Sequence, residues 1–189
     1  MYTSLIKSPY RYYRKARICQ GDIFEDLLIS IGSGSNTLHI EANLKYAVVL
    51  TQDCDLQQDY EERNKKPKPV KTDKNIDTIL VCPAYQLDDF SRGEHIATRQ
   101  MEVFGEKLMA KIRANDTYKR YHYLQEDLDN GVPELVLDFK HFITAPREVL
   151  YDARKRSYVT SINEIYREAL SQRFANFLSR IGLPDQSSS

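Results

Sequence analysis

Apolar runs in this chain are short and separated by turn-forming residues, a pattern typical of an antiparallel β protein. It predicts strands at residues 23–31, 46–51, 79–82, 121–124 and 134–143. The apolar residues of the run at 46–51 do not alternate with polar ones, which indicates a strand covered on both faces. Pro83 is expected to end the third strand.

Two other segments have the spacing of amphipathic helices. Apolar residues recur every three or four positions at 96–112, within an insertion of about residues 92–114. A longer helix is predicted over about residues 161–182, with Ser161 and Glu164 as a capping box and Gly182 and Pro184 as its end. Residues 57–77 are polar and contain two prolines, so a long loop is predicted there.

Length and composition predict one domain with one principal core. The chain has 189 residues, of which 41% are hydrophobic. We expect a basic, tyrosine-rich arm (1–20), one domain (21–184) and a disordered tail (185–189). Short strands with a helix inserted midway and another at the end favour a mainly β, α+β fold. We expect a small SH3-like antiparallel barrel with an inserted helix and a long C-terminal helix.

The sequence favours a cytoplasmic protein. Its apolar runs are shorter than the roughly 18 residues of a membrane span, and residues 1–17 lack the apolar core of a secretory signal. The three cysteines are odd in number and widely spaced, which favours reduced thiols over a disulfide framework. We expect no metal and no cofactor.

Charge is balanced overall but clustered locally. The chain has 27 basic and 27 acidic residues, so its net charge does not indicate nucleic-acid binding. Basic residues interleave with tyrosines at 7–17, and a second basic run covers 63–74. Cations beside stacking faces suit single-stranded nucleic acid, and the alternative is a solvated tail and a solvated loop. The candidate binding residues are Arg11, Tyr12, Tyr13, Arg14, Lys45, Lys65, Lys66 and Lys68.

The best candidate for chemistry is the polar cluster that follows the strand at 46–50. If the protein is an enzyme, the candidate catalytic residues are Thr51, Asp53, Cys54 and Asp55. Several interpretations remain open. Cys54 could act as a nucleophile beside a histidine, Asp53, Asp55 and Asp59 could hold Mg²⁺, and the three cysteines with a histidine could hold zinc. A structural turn at the end of the strand is the remaining alternative.

Three short segments resemble the MazF/PemK-like toxin family in their order. They are Gly21-Asp22-Ile23, Ala47-Val48-Val49-Leu50-Thr51 and Ile79-Leu80-Val81-Cys82-Pro83. The resemblance covers about residues 21–150 and implies an SH3-like barrel. It also implies an endoribonuclease, usually dimeric, that an antitoxin neutralises. The segments around Gln52-Asp53-Cys54-Asp55 and at residues 173–184 are also similar to those of uncharacterised bacterial proteins.

The chain departs from that family where the family places a catalytic arginine followed by proline. Lys45 and Tyr46 stand there instead, and lysine cannot replace the bidentate fork of a guanidinium. We therefore expect a non-catalytic or weakly catalytic module that binds nucleic acid, RNA more than DNA, or a protein partner. Such a partner would be an antitoxin, a defence-complex subunit or a second copy of the chain. The setting would be bacterial defence, toxin–antitoxin or regulation, and the alternative is an endoribonuclease toxin acting at residues 51–55.

Overall fold

Eight strands form one antiparallel sheet in the part of the chain that the computed structural model describes, residues 8–13, 16–31, 40–68, 72–116 and 118–180. They run in the order β1-β8-β2-β3-β4-β6-β5, and β7 pairs with β4 on the same side as β6. Their bounds are β1 Tyr10–Arg11, β2 Asp22–Ile31, β3 Ile40–Val49, β4 Thr78–Gln86, β5 Tyr121–Leu124, β6 Leu135–Asp138, β7 Ile143–Pro146 and β8 Tyr158–Ile162.

Five α-helices complete the described part of the fold. They are α1 Asp53–Asn64, α2 Leu87–Ser91, α3 Glu106–Arg113, α4 Arg147–Ser157 and α5 Glu164–Leu178. Short 3₁₀ turns occur at Leu128–Asn130 and Phe139–His141. None of the helices described is long and apolar enough to cross a membrane. The expected mixed α+β fold with an antiparallel sheet is confirmed.

The central strands are buried on both faces, as the apolar run of β3 predicts. Val48 belongs to a core on one face of the sheet, whereas Ala47 and Val49 belong to a second core on the other face. Helix α5 supplies Leu170, Phe174 and Phe177 to the first core. Helices α1 and α4 supply Leu56, Leu150 and Ala153 to the second. The sheet is therefore the middle layer between helices.

The sheet is curled but does not close within the described residues. Strands β1 and β5 are the two ends of its hydrogen-bonded order. Side chains rather than a backbone ladder connect these ends, because Tyr10 donates its hydroxyl hydrogen to the carbonyl of Gln125, and Ser8 donates to Asp127. The expected barrel therefore stays a prediction.

The free edge of β5 is blocked by a side chain. Asn115 accepts a hydrogen bond from the Tyr123 N–H at 2.7 Å and donates to the Tyr123 carbonyl at 2.9 Å. Its amide thus takes the place of a neighbouring strand. Blocking an edge in this way protects it against pairing with another chain.

Helix α1 replaces the first part of the loop predicted at residues 57–77. Its buried positions are Leu56, Asp59 and Glu62, which are spaced three residues apart. Two of these inward-facing residues are carboxylates, so the hydrophobic pattern contains no helical signal. The prediction of a loop is wrong for residues 57–64.

Strand β4 continues through Pro83 to Gln86 instead of ending there. On the side of β4 away from β3, β7 pairs with residues 78–81 and β6 pairs with residues 84–86. Pro83 lies between these two partners, where a missing N–H interrupts neither ladder. A proline is tolerated at such a position.

The two predicted helices differ from the observed ones. Only Glu106–Arg113 is helical within the predicted 96–112 segment, and Phe104 is instead buried in a stacked contact with Phe90. Helix α5 begins at Glu164 after Asn163. Ser161 belongs to β8 and donates its hydroxyl hydrogen to Asp22, so it does not cap the helix. The predicted end at Gly182 and Pro184 and the tail at 185–189 lie outside the described residues.

Replacing Phe139 with alanine is expected to lower the free energy of unfolding by about 3–5 kcal/mol. Phe139 is fully buried and packs against Phe174 and Phe177, which join α5 to the sheet. The control is Phe142→Ala, at a ring 36% exposed, with an expected loss of roughly 1 kcal/mol. Urea unfolding measures both, and equal losses would contradict this account of the core.

Candidate functional site

The predicted site begins with Thr51, whose side chain extends the bonding between β3 and β4. The Leu50 N–H donates to the carbonyl of Leu80 at 2.8 Å. The Leu80 N–H in turn donates to Oγ1 of Thr51 at 2.7 Å. The Thr51 side chain therefore replaces a backbone acceptor where β3 ends and α1 begins.

Asp53, the first residue of α1, is held by two arginines. Arg17 donates to both carboxylate oxygens, at 2.9 and 2.8 Å, and Nη1 of Arg167 lies 3.6 Å from Oδ1. The Gln20 N–H also donates to Asp53, at 3.2 Å. Burial opposes ionisation, but the hydrogen bond from Arg17 and the charge of Arg167 outweigh it and lower the pKa of Asp53. The carboxylate is thus ionised and fully engaged.

Cys54 and Asp55 are exposed on the first turn of α1. The Cys54 thiol lies 3.6 Å from Oε1 of Gln52 and 3.7 Å from Oδ1 of Asp55. No histidine or basic side chain among the described residues bonds to either of them. In the described part of the chain, Cys54 is therefore not paired with the imidazole that commonly activates a thiol nucleophile.

Asp59, a candidate magnesium ligand, also binds arginines. Nε of Arg63 lies 2.7 Å from one carboxylate oxygen, Nε of Arg147 lies 2.6 Å from the other, and the Ile76 N–H donates to the first at 3.0 Å. Within the described ranges, no group of three or more His, Cys, Asp and Glu side chains is placed to hold a metal ion. The observed partners of Asp59 are guanidinium and amide groups.

The basic, tyrosine-rich arm is paired to the sheet at β1. Arg11 is exposed, and the ring of Tyr12 is 59% exposed and makes an edge-on contact with Tyr158 at 5.2 Å between centroids. Tyr13 is buried and its N–H donates to the Tyr158 hydroxyl. Arg14 lies outside the described residues. Two adjacent side chains of the arm, Arg11 and Tyr12, are thus available on the surface.

The candidate lysines differ in their partners. Lys45 forms ion pairs with Glu25 at 3.0 Å and Asp26 at 3.1 Å, and Lys65 pairs with Glu62. Lys66 and Lys68 are exposed, and neither forms an ion pair with a described residue. The structure therefore leaves two of the four candidate lysines without an acidic partner.

A buried carboxylate that the sequence does not predict, Asp22, lies beside the predicted site. Asp22 is completely buried and accepts hydrogen bonds from the Cys19 N–H and the Ser161 hydroxyl, with Nη1 of Arg154 at 3.4 Å. Burial outweighs these partners and raises the pKa of Asp22 to about 6. The signal Gly21-Asp22 predicts the start of a strand, but nothing local predicts complete burial.

A second cluster of polar side chains surrounds His141. Its Nδ1 lies 3.2 Å from the Tyr85 hydroxyl and 3.4 Å from the Asp138 carboxylate, and its Nε2 lies 3.3 Å from Arg99. A guanidinium can only donate, so Nε2 accepts and Nδ1 carries the proton of the neutral ring. Arg120 forms two hydrogen bonds with Asp138. Burial raises the pKa of Tyr85, so its hydroxyl remains protonated.

Comparison with models of known protein families finds no match to this sequence. A search of curated proteins also finds no similar one.

Replacing Asp53 with alanine is expected to cost roughly 2–3 kcal/mol of unfolding free energy, because Arg17 would lose its bidentate partner. Asp55→Ala is the matched control two residues away, and its exposed side chain predicts a change within about 0.5 kcal/mol. Chemical denaturation of both variants measures the difference. Equal effects would show that the Arg17–Asp53 pair does not anchor α1.

The pH dependence of stability is expected to depend on Asp22. Folding raises its pKa from 3.8 to about 6, so the folded state binds the additional proton between about pH 4 and pH 6. Asp22 therefore contributes stability at low pH that is lost as the pH rises through this range. We expect the difference in unfolding free energy between wild type and Asp22→Asn to fall by roughly 3 kcal/mol from about pH 3 to about pH 7. Urea titrations at several pH values measure it, and a difference that rises with pH would refute the assignment.

Proposed function

We propose that this protein is a non-catalytic recognition module that binds single-stranded RNA in a bacterial defence, toxin–antitoxin or regulatory system in the cytoplasm. The observation that carries the proposal is the contrast between two parts of the surface. Thr51 and Asp53 are engaged in bonds that join structural elements, whereas Arg11 and Tyr12 remain exposed.

Arg11 and Tyr12 suit the backbone and bases of a single strand. An exposed aromatic ring can stack on any base, and a neighbouring guanidinium can pair with phosphate. Strand β1 pairs with β8 through Tyr10 and Arg11, and Tyr12 rests edge-on against Tyr158. Part of the entropy of ordering these side chains on binding is therefore already lost in the free protein.

Lys66 and Lys68 give a second cationic surface just after α1. Both side chains are exposed, so phosphates can approach them without breaking an ion pair with a described residue. Phosphate contacts of this kind release counterions and make binding salt-dependent. This surface is proposed to contribute affinity without base preference.

The candidate residues favour binding over cleavage. Lys45 stands where the MazF/PemK-like family has its catalytic arginine, and two carboxylates already neutralise it. The guanidinium of Arg17, beside the strand end, is engaged by Asp53. Neither cation is free to stabilise charge on a reacting phosphate. An endoribonuclease acting at residues 51–55 is therefore the alternative that the geometry favours less.

The proposed relationship to the MazF/PemK-like family has one structural support. The three segments that resemble the family lie at the start of β2, at the end of β3 and in β4, and these strands are consecutive neighbours in the sheet. The curl of the sheet is compatible with the SH3-like barrel that the family implies. We propose this relationship for the fold.

Fluorescence polarisation with end-labelled single-stranded RNA and DNA tests the proposal. We expect RNA to bind more tightly than DNA, with affinity falling as salt increases. Arg11→Ala with Tyr12→Ala is expected to weaken RNA binding by at least about tenfold, and Lys66→Ala with Lys68→Ala by a smaller factor. The matched control, Lys107→Ala with Lys111→Ala on α3, exchanges two lysines that are also exposed.

Gel analysis of the same mixtures, with and without Mg²⁺, separates the alternatives. Cleavage that folded Asp55→Ala or Cys54→Ala loses would establish the nuclease instead. Absence of RNA binding, or equal binding by the arm variant and the control, would refute the RNA-binding module and favour a protein partner.

A further inference from the structure

A cleft of about 430 Å³ opens between α5 and the end of the sheet formed by β5 and β1. This volume lies in the range of small-molecule binding sites. Leu124, Ile162 and Ala169 provide apolar walls, and tyrosines from three elements also line it. The cleft is separate from the strand end at residues 51–55, none of which lines it.

The charge of the cleft favours an anion. Two arginines, Arg113 and Arg173, line it, and none of the described lining residues is Asp or Glu. Arg113 pairs with Glu134 through Nε at 3.2 Å. No described carboxylate forms an ion pair with Arg173, and the charge of Asp116 acts on this guanidinium from beyond ion-pair distance.

Arg173 is held rigidly by backbone carbonyl groups. It donates to the carbonyls of Asn115, Tyr118 and Tyr121 through its two terminal nitrogens. Its Nε is buried and has no hydrogen-bond acceptor among the described residues. A fixed guanidinium with an unused N–H is already oriented for an oxyanion, which reduces the entropic cost of binding.

His122 also lines the cleft, and one of its ring nitrogens is a second buried polar atom without a partner among the described residues. Its side chain enters from β5 and its ring stacks on Phe139 with centroids 6.2 Å apart. The residue is only 5% exposed, and its Nδ1 finds no partner in the described part of the chain. Burial, and then the nearby charge of Arg173, lowers the pKa of His122 to about 3. A buried polar atom without a partner is rare in folded proteins and calls for a ligand or a water.

The opening of the cleft presents groups that could recognise a ring. Tyr166, Ala169, Arg173 and Asn176 follow one another at helical spacing along α5 and all line the cleft. Tyr166 is 44% exposed, and Gln172 and Asn176 are exposed amides. An aromatic face beside amide donors and acceptors suits a planar heterocycle with a hydrogen-bonding edge.

We propose that this cleft binds a nucleoside monophosphate. Arg173 Nε and the Nδ1–H tautomer of His122 donate to phosphate oxygens, while Tyr166 stacks on the base and Gln172 and Asn176 contact its edge. The site does not rest on the proposed RNA surface, because neither Arg11 nor Tyr12 lines the cleft.

Isothermal titration calorimetry with AMP, GMP, CMP and UMP tests the proposal. At least one nucleotide is expected to bind in the micromolar to millimolar range, more tightly than its nucleoside or inorganic phosphate. His122→Phe replaces the imidazole with a ring that can keep the contact with Phe139, and is expected to weaken binding by about tenfold or more. Gln172→Ala, at the exposed opening, is expected to weaken it severalfold. Gln58→Ala is its matched control, an exposed glutamine of α1 outside the cleft.

Each other outcome overturns the proposal. The site is refuted if no nucleotide binds at millimolar concentration, or if Gln172→Ala binds as Gln58→Ala does. Equal affinity for inorganic phosphate would show that the base is not recognised. Should His122→Phe fail to fold, Gln172→Ala still decides. The folded Arg11→Ala, Tyr12→Ala variant is expected to retain nucleotide binding, which separates failure of this site from failure of the RNA surface.

Discussion

The fold depends on how residues 17–22 satisfy polar groups where four elements meet. The N–H of Gly21 donates to the carbonyl of Val49, and the Ile162 N–H donates to the carbonyl of Gly21. Gly21 has φ +80°, and a Cβ there would lie 3.0 Å from that of Ile162, so only glycine fits without strain. Arg17 and Asp22 on either side bind α1 and β8. One short segment thereby holds β2, β3, β8 and α1 in a single arrangement.

This arrangement explains the structural roles of Thr51 and Asp53 in the polar segment that follows β3. The strand end is polar because its side chains complete bonds between elements: Thr51 extends the ladder to β4, and Asp53 binds Arg17. Removing one partner from such a junction leaves the other charge desolvated and unpaired. The resulting loss of stability is larger than the stability that the intact pair contributes. Two of the four candidate catalytic residues, Thr51 and Asp53, are therefore explained by architecture, whereas Cys54 and Asp55 stay exposed on the first turn of α1.

The curl of the sheet brings its two terminal strands, β1 and β5, close together. Because β1 and β5 approach without forming a ladder, side chains must satisfy their edges, and Tyr10 and Asn115 do so. Helix α5 covers the apolar part of the gap, but it leaves a cleft in which His122 and Arg173 have unused polar atoms. On this face of the open sheet, α5 thus forms both a core and a cleft.

The local pattern of apolar residues was sufficient to predict strands that are buried along their length. The apolar run of β3 predicted a strand covered on both faces, and the structure contains one, with Val48 in one core and Val49 in the other. Tertiary structure alone decided the role of polar residues. Asp53 binds Arg17 across 36 positions in the sequence, and Asp59 of α1 faces inward, where it binds Arg147 of α4. The pattern of hydrophobicity records which residues avoid water, whereas the partner of a buried charge is set by distant segments that meet only in the folded chain.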